Sequence, residues 1–292
     1  MSSTHLARCL PVLLLAACSG APEMTSEEAS DSSQENIVRG TVDAGHPQVM
    51  ALLVPRADGS QEFCTATLYA RRTLLTAAHC LVGAELVLAY HGNDFMNAFD
   101  QLGQDPKTWT NWAQAVDWKI HPKWDPKTWS ADIAVVHIDR DPPFPPLPLA
   151  TKEIGKSYVG SMAQLVGYGG LASEADNATP IDAFIKRFGT TKYQGTPAAS
   201  PLPPNPHPGL GIRAIREQLM QFDGKAPYVN ACFGDSGGPA LMSFAGKYQV
   251  VGVATWTGDY CRDFSYYTRV FDFAPFLTEQ ALPKNATPPL PL

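Results

Sequence analysis

Positive charge is in short supply in this chain, with 22 Lys and Arg against 28 Asp and Glu among 292 residues and a formal net charge of −6. Five of the acids and only one base fall in residues 1–36, which leaves 21 basic and 23 acidic residues in the rest. That near-neutral body offers no electrostatic basis for binding nucleic acid or an anionic membrane surface. Long apolar runs are missing too: Leu10 to Ala17 is the run that stands out in the leader, and it is too short to cross a bilayer. No CxxC or HxxxH spacing is present, so a zinc site is not expected. Asp94, Asp100 and Asp105 do not have the spacing of an EF-hand loop, so no metal and no cofactor is expected. Helical periodicity is nearly absent, which argues against a helical bundle.

The leader has its own character. Arg8 followed by Leu10 to Ala17 fits the charged and apolar regions of a secretory signal. Leu15-Ala16-Ala17-Cys18 resembles a bacterial lipobox, in which Cys18 would take a lipid and become the new N-terminus, with Ser19 behind it resembling the outer-membrane sorting default. Residues 19–36 are small, polar and acidic, with too little apolar surface to order themselves, and read as a disordered tether. Export implies an oxidising compartment. Once Cys9 leaves with the signal and Cys18 is lipidated, four cysteines, Cys64, Cys80, Cys232 and Cys261, remain to form bridges, in any of three pairings.

With 45% hydrophobic residues the body has enough apolar chain for a sizeable core. It is punctuated by short β-rich runs at 49–54, 65–69, 73–76, 86–90, 133–138, 164–166, 212–222, 239–242 and 248–255, which predicts an all-β fold. The proline-rich stretch from Asp141 to Pro148 cannot enter a sheet interior and reads as a connector between two halves. A terminal helix is expected after Asp272, which could cap it, with Pro275 in the first turn and Phe273, Phe276, Leu277 and Leu282 on one face. Thr196 to Pro208 reads as a long surface loop. Five tryptophans, Trp109, Trp112, Trp118, Trp124 and Trp129, crowd one segment, where the simplest role is to clamp an insertion. The pentapeptide Asp105-Pro106-Lys107-Thr108-Trp109 recurs at Asp125-Pro126-Lys127-Thr128-Trp129, too little to make a repeat architecture.

The most informative string is Gly234-Asp235-Ser236-Gly237-Gly238-Pro239, a serine among glycines that let backbone N–H groups face a reacting carbonyl. A serine hydroxyl needs a base in hydrogen-bond reach, and that base needs a third group to fix its tautomer. Thr76-Ala77-Ala78-His79-Cys80 supplies a candidate base, and Asp132, opening the apolar run Ile133-Ala134-Val135-Val136, a candidate orienting acid. In these motifs and their order the chain resembles the trypsin/chymotrypsin family of serine proteases.

The resemblance implies two six-stranded antiparallel β-barrels, with the active site in the cleft between them and a C-terminal helix. It implies a triad of His79, Asp132 and Ser236, an oxyanion hole from the Gly234 and Ser236 N–H groups, and bridges Cys64–Cys80 and Cys232–Cys261. Residues 37–283 would be the protease domain, after a signal peptide (1–18) and a propeptide (19–36) and before a proline-rich tail (284–292). Ile37-Val38-Arg39-Gly40 resembles the N-terminus such proteases expose on activation, with Arg39 where glycine is usual. The freed Ile37 ammonium would sit beside Asp235, and because Asn36 precedes the cut, the activating protease is not expected to be trypsin-like. The pocket position that carries an aspartate in trypsins is Asn230, with Thr257 and Ser265 on walls where trypsins have glycines and Thr255 in place of the usual serine before Trp256. An uncharged, small to medium side chain before the cleaved bond is therefore expected, unless Asp259 or Asp263 restores basic selectivity. The partners expected are protein or peptide substrates and an activator, for a monomer that meets a membrane only through Cys18 and is otherwise periplasmic or extracellular. A noncatalytic scaffold and an esterase are the competing readings.

Overall fold

The computed structural model describes residues 36–100, 110–170, 184–197, 216–258 and 261–282. Cys18, Asp105, Trp109, Asp259, most of the loop from Thr196 to Pro208 and the tail after residue 283 lie outside them.

A two-residue strand, β1 (Thr41–Val42), precedes the first barrel. That barrel comprises β2 (Val49–Pro55), β3 (Gln61–Ala70), β4 (Thr73–Thr76), β5 (Leu88–Tyr90), β6 (Trp112–Ile120) and β7 (Ala134–Ile138), closed in the order β2-β3-β4-β7-β6-β5. The second contains β8 (Met162–Gly167), β9 (Arg187–Gly195), β10 (Leu219–Gly224), β11 (Pro239–Phe244), β12 (Lys247–Thr257) and β13 (Asp263–Arg269). These run β9-β10-β13-β12-β11-β8, and pairing of β8 with β9 closes the ring while β1 extends it beyond β9. The two six-stranded antiparallel barrels follow from chemistry as much as from topology. Apolar residues fill the core, with Val49, Leu52, Leu74 and Val135 fully buried in the first barrel and Leu165, Met220, Phe222 and Ala240 in the second. Closure removes free sheet edges.

Besides the two-residue β1, three strands escaped the pattern of apolar runs. Strand β6 alternates polar residues such as Gln114, Asp117 and Lys119 with its tryptophans, β9 holds Arg187, Thr190 and Lys192, and β13 opens on Asp263. Each is recruited by ladder partners rather than by a hydrophobic run of its own. Strand β10 begins at Leu219 rather than Ile212, residues 212–215 lying outside the described set. A short helix, Phe95–Asp100, also appears, and Asp94 caps it by accepting the Asn97 N–H at 3.0 Å, an ordinary capping role for one of the three acids noted in the sequence.

The proline-rich connector crosses between barrels. The Leu147 N–H donates to Leu68 at 2.9 Å in the first, and the Val250 N–H of the second donates to Pro148 at 2.9 Å. At the far end a 3-10 turn, Val270–Phe273, leads into the helix Ala274–Gln280 with proline in its first turn. Asp272 is not the cap: it lies inside the 3-10 turn, beside the Arg269 guanidinium, and the helix starts two residues later without a side-chain cap. The helix lies against the first barrel, where Tyr69 donates its hydroxyl proton to Leu277 at 2.9 Å and the His137 ring meets the Gln280 carbonyl at 2.7 Å.

Candidate active site

The site grows from three segments. His79 opens a 3-10 turn, His79–Leu81, directly after β4, and the Cys64–Cys80 bridge ties that turn to β3. Asp132 sits two residues before β7 with no exposed surface. Its Oδ1 accepts the His79 backbone N–H at 2.9 Å, and its Oδ2 lies 2.8 Å from His79 Nδ1. With the Nδ1 proton facing the carboxylate, Nε2 keeps a lone pair for a proton acceptor's role. Asp132 Oδ2 also accepts from the Thr255 hydroxyl of the second barrel. Burial disfavours the charged imidazole, but the adjacent Asp132 carboxylate outweighs it and raises the His79 proton affinity above the ordinary histidine value.

Ser236 is delivered by the turn between β10 and β11. The Thr65 N–H donates to its carbonyl at 2.8 Å, and the Cys80 sulfur lies 3.8 Å from both that carbonyl and His79 Nε2, which sets the serine backbone beside the imidazole. Thr65 Oγ1 donates to Gly234 at 2.9 Å, so a single first-barrel residue holds the serine loop at two points. Gly237 adopts φ +83°, and a Cβ there would lie 2.1 Å from Thr76 Oγ1 and 2.3 Å from the Thr65 carbonyl. Only glycine lets the loop sit this close to the first barrel. Among the described residues no backbone carbonyl takes up the Gly234 or Ser236 N–H, the pair expected to face a substrate oxygen.

Cys64, His79 and Cys80 bring potential ligand atoms within 4.8 Å of one another, but the two sulfurs are bonded to each other and offer no thiolates. The second expected bridge, Cys232–Cys261, is also present, joining the serine loop to the segment before β13.

Asp235 is buried, its oxygens accepting the Gly169 N–H at 2.7 Å and the Cys232 N–H at 2.8 Å. Burial pushes its pKa up to about 7 against those two hydrogen bonds. Ile37 is fully buried in the second-barrel core, and Val38 exchanges two backbone hydrogen bonds with Asn230, at 2.8 and 3.2 Å. Arg39 has φ +69°, which explains the preference for glycine at this position. Its guanidinium offsets the strain by donating to the Tyr228 carbonyl at 2.7 Å and to that of Gly224.

The positions expected to shape a specificity pocket also meet. Asn230 and Ser265 have no exposed surface, and Asn230 Nδ2 donates to Thr257 Oγ1 and to the Phe264 carbonyl, each at 3.2 Å. The Thr257 hydroxyl donates to the Ala231 carbonyl at 3.0 Å. Thr257, an expected wall residue, is thus hydrogen-bonded to Asn230, the expected floor residue, and to its neighbour Ala231. Among the described residues, Asn230 Oδ1 and Ser265 Oγ are buried with no hydrogen-bond partner. Asp263 is exposed and pairs in the β-ladder with Gly224, whose Cα packs against the Asn230 side chain.

Three residues that position the site are not assigned a role in it from the sequence, although Thr255 is noted beside Trp256. Thr65 and Thr255 act from the opposite barrel through their hydroxyls. Trp129, visible only as one of a tryptophan cluster, lies against the His79 ring with centroids 4.9 Å apart.

A family model described as Trypsin matches residues 37–277. Among curated proteins, the chain is 28% identical over 221 residues to the serine protease VLSP-3 of Macrovipera lebetinus, covering 73% of this chain and 76% of that one. It is 26% identical over 224 residues to a trypsin of Saccharopolyspora erythraea, covering 74% and 83% respectively. Among solved structures, HL collagenase superposes with a TM-score of 0.62 at 19% identity over 82% of this chain and 95% of the other, a likeness of fold.

Proposed function

Since the chain belongs to the trypsin family of serine proteases, we propose that it hydrolyses peptide bonds through an acyl-enzyme on Ser236, with His79 as general base and acid and Asp132 as the orienting carboxylate. His79 Nε2 takes the hydroxyl proton as Ser236 Oγ attacks the carbonyl carbon, the Gly234 and Ser236 N–H groups receive the developing oxyanion, and the proton passes to the departing amine. Water then repeats the sequence on the ester. The observation that carries this reading is the double grip of Asp132 on His79, at Nδ1 and at the backbone N–H, beside the Ser236 loop. A fluorophosphonate probe should label the protein, and labelling should vanish in Ser236→Ala and in His79→Ala. Undiminished peptide hydrolysis by Ser236→Ala would overturn the assignment.

The pocket supports an uncharged, small side chain before the scissile bond. Thr257 reaches across to Asn230, so little depth remains for an aromatic ring, and the floor offers an amide rather than a carboxylate to a lysine or arginine. Alanine, valine, threonine and asparagine are the side chains expected to fit best. Matched substrates decide it: an arginine substrate faster than the threonine one by tenfold, about 1.4 kcal/mol, contradicts this reading.

The protein is further proposed to be an exported lipoprotein zymogen, anchored through Cys18 and activated by cleavage between Asn36 and Ile37. Support comes from Asp235, a buried carboxylate with two N–H partners and no cation among the described residues, and from the buried seat of Ile37. No cysteine between residues 18 and 37 could hold the pieces together, so cleavage would also release the enzyme. Active protein that stays membrane-bound and begins at Cys18 would refute this.

A further inference from the structure

The loop between β6 and β7 is built around one acid. Asp125 Oδ1 accepts the Lys127 N–H at 2.9 Å, its Oδ2 accepts the Thr128 hydroxyl at 2.9 Å, and its backbone carbonyl accepts the Trp129 N–H at 2.7 Å. Asp125 closes the loop by donating its own N–H to Ser130 at 3.1 Å. The second barrel adds a tether, Gln218 Oε1 accepting the Ala131 N–H at 3.0 Å. Within this frame Trp129 and Ala131 take φ of +59° and +53°. For a side chain as large as tryptophan that conformation is costly and persists only where its surroundings over-determine it.

What the strain achieves is a stack. The Trp129 indole lies against the His79 imidazole at 4.9 Å between centroids with 33° between planes, and Trp124 meets Trp129 edge-on at 6.0 Å. Asp132 grips the imidazole in its plane, and the indole covers a face. An indole face attracts a cation far more than it attracts a neutral ring, so the contact strengthens when His79 takes the serine proton. Among the described residues, the charged groups near His79 are Asp132, Glu62 and Arg56, and the last two are paired with each other at 2.8 Å.

We propose that Trp129 is a positioning residue for the base, presented by the Asp125-Pro126-Lys127-Thr128-Trp129 loop so that its π face stabilises the protonated His79 ring and fixes the plane of the neutral one. The proposal rests on reading His79 as the base. It also gives the second copy of the pentapeptide a purpose, since its Asp and Thr close the turn and its Trp meets the imidazole.

The test compares the pH dependence of fluorophosphonate labelling in the parent, Trp129→Leu and Trp129→Phe. Leucine keeps an apolar cover over the ring but removes the π face. The acid limb should fall by about half a pH unit in Trp129→Leu and return most of the way in Trp129→Phe. A limb unmoved by leucine, or moved equally by leucine and phenylalanine, overturns the proposal. Should the leucine variant not fold, tryptophan emission of Ser236→Ala decides, because a protonated imidazole quenches an indole it faces. A titration step is expected there and should be absent in Ser236→Ala/His79→Ala; no such difference sinks the idea. That readout needs no turnover, so it is separate from the Ser236→Ala activity test of the catalytic reading.

Discussion

At the scale of single residues, contact distances decide what each position tolerates. Gly237→Ala would place a methyl 2.1 Å from Thr76 Oγ1 in a left-handed conformation. We expect a loss of about 2 kcal/mol or more and labelling slowed by orders of magnitude, read by thermal melts and probe kinetics. Thr257→Gly acts in the opposite direction on the pocket, removing the hydroxyl that joins wall to floor. Hydrolysis of a phenylalanine substrate should then rise at least tenfold relative to a threonine one, about 1.4 kcal/mol in transition-state binding. An unchanged ratio would mean that Thr257 does not limit the pocket. Neither effect follows from residue type alone, because a glycine or a threonine acquires its importance from what lies within a few ångströms.

At the scale of elements, the His79 turn is too short to hold its own geometry. It is a three-residue 3-10 segment held to β3 by the Cys64–Cys80 bridge across 16 residues of sequence. Replacing both cysteines by serine should cost about 3 kcal/mol in unfolding free energy, measured by urea titration. Labelling should fall as well, since the turn that carries the base would lose its covalent tie to the strand beside the serine loop. Full labelling at wild-type rate would show that the Asp132 hydrogen bond to the His79 backbone suffices. The two pairings present were implied by family resemblance, whereas cysteine count alone left three open.

At the scale of the whole molecule, Asp235 couples the N-terminal segment to pH. Its pKa is pushed up from 3.8 to about 7 by burial, so the folded chain with an intact Asn36–Ile37 bond binds a proton that the unfolded chain releases. The stability this group contributes is fully present below about pH 4 and lost as pH rises through about 7, by up to about 4 kcal/mol. Melts of uncleaved Ser236→Ala should therefore lose stability between pH 4 and 7 relative to Ser236→Ala/Asp235→Asn. Cleavage after Asn36 should abolish or reverse the difference, because a buried ammonium would favour the ionised carboxylate. A gap that does not change with pH in the uncleaved chain would contradict the buried, unpaired carboxylate.

What the sequence determined by itself was whatever is encoded within a few neighbouring residues. Short continuous apolar runs give barrel strands such as β2 and β4, the proline-rich stretch from Asp141 to Pro148 makes the crossing between barrels, and the segments around His79, Asp132 and Ser236 announce their chemistry through local motifs. Only the tertiary structure decided the features built from residues distant in sequence. Polar strands β6, β9 and β13 form because partners present an edge, Thr65 and Thr255 matter because the opposite barrel brings them to the Ser236 loop and to Asp132, and Asn230 is held by Thr257, 27 residues away, through a hydrogen bond. Trp129 belongs to the same class. Its indole was legible as one of five tryptophans, but its contact with His79 depends on a strained loop closing around Asp125, and no pattern along the chain encodes which ring a side chain will meet.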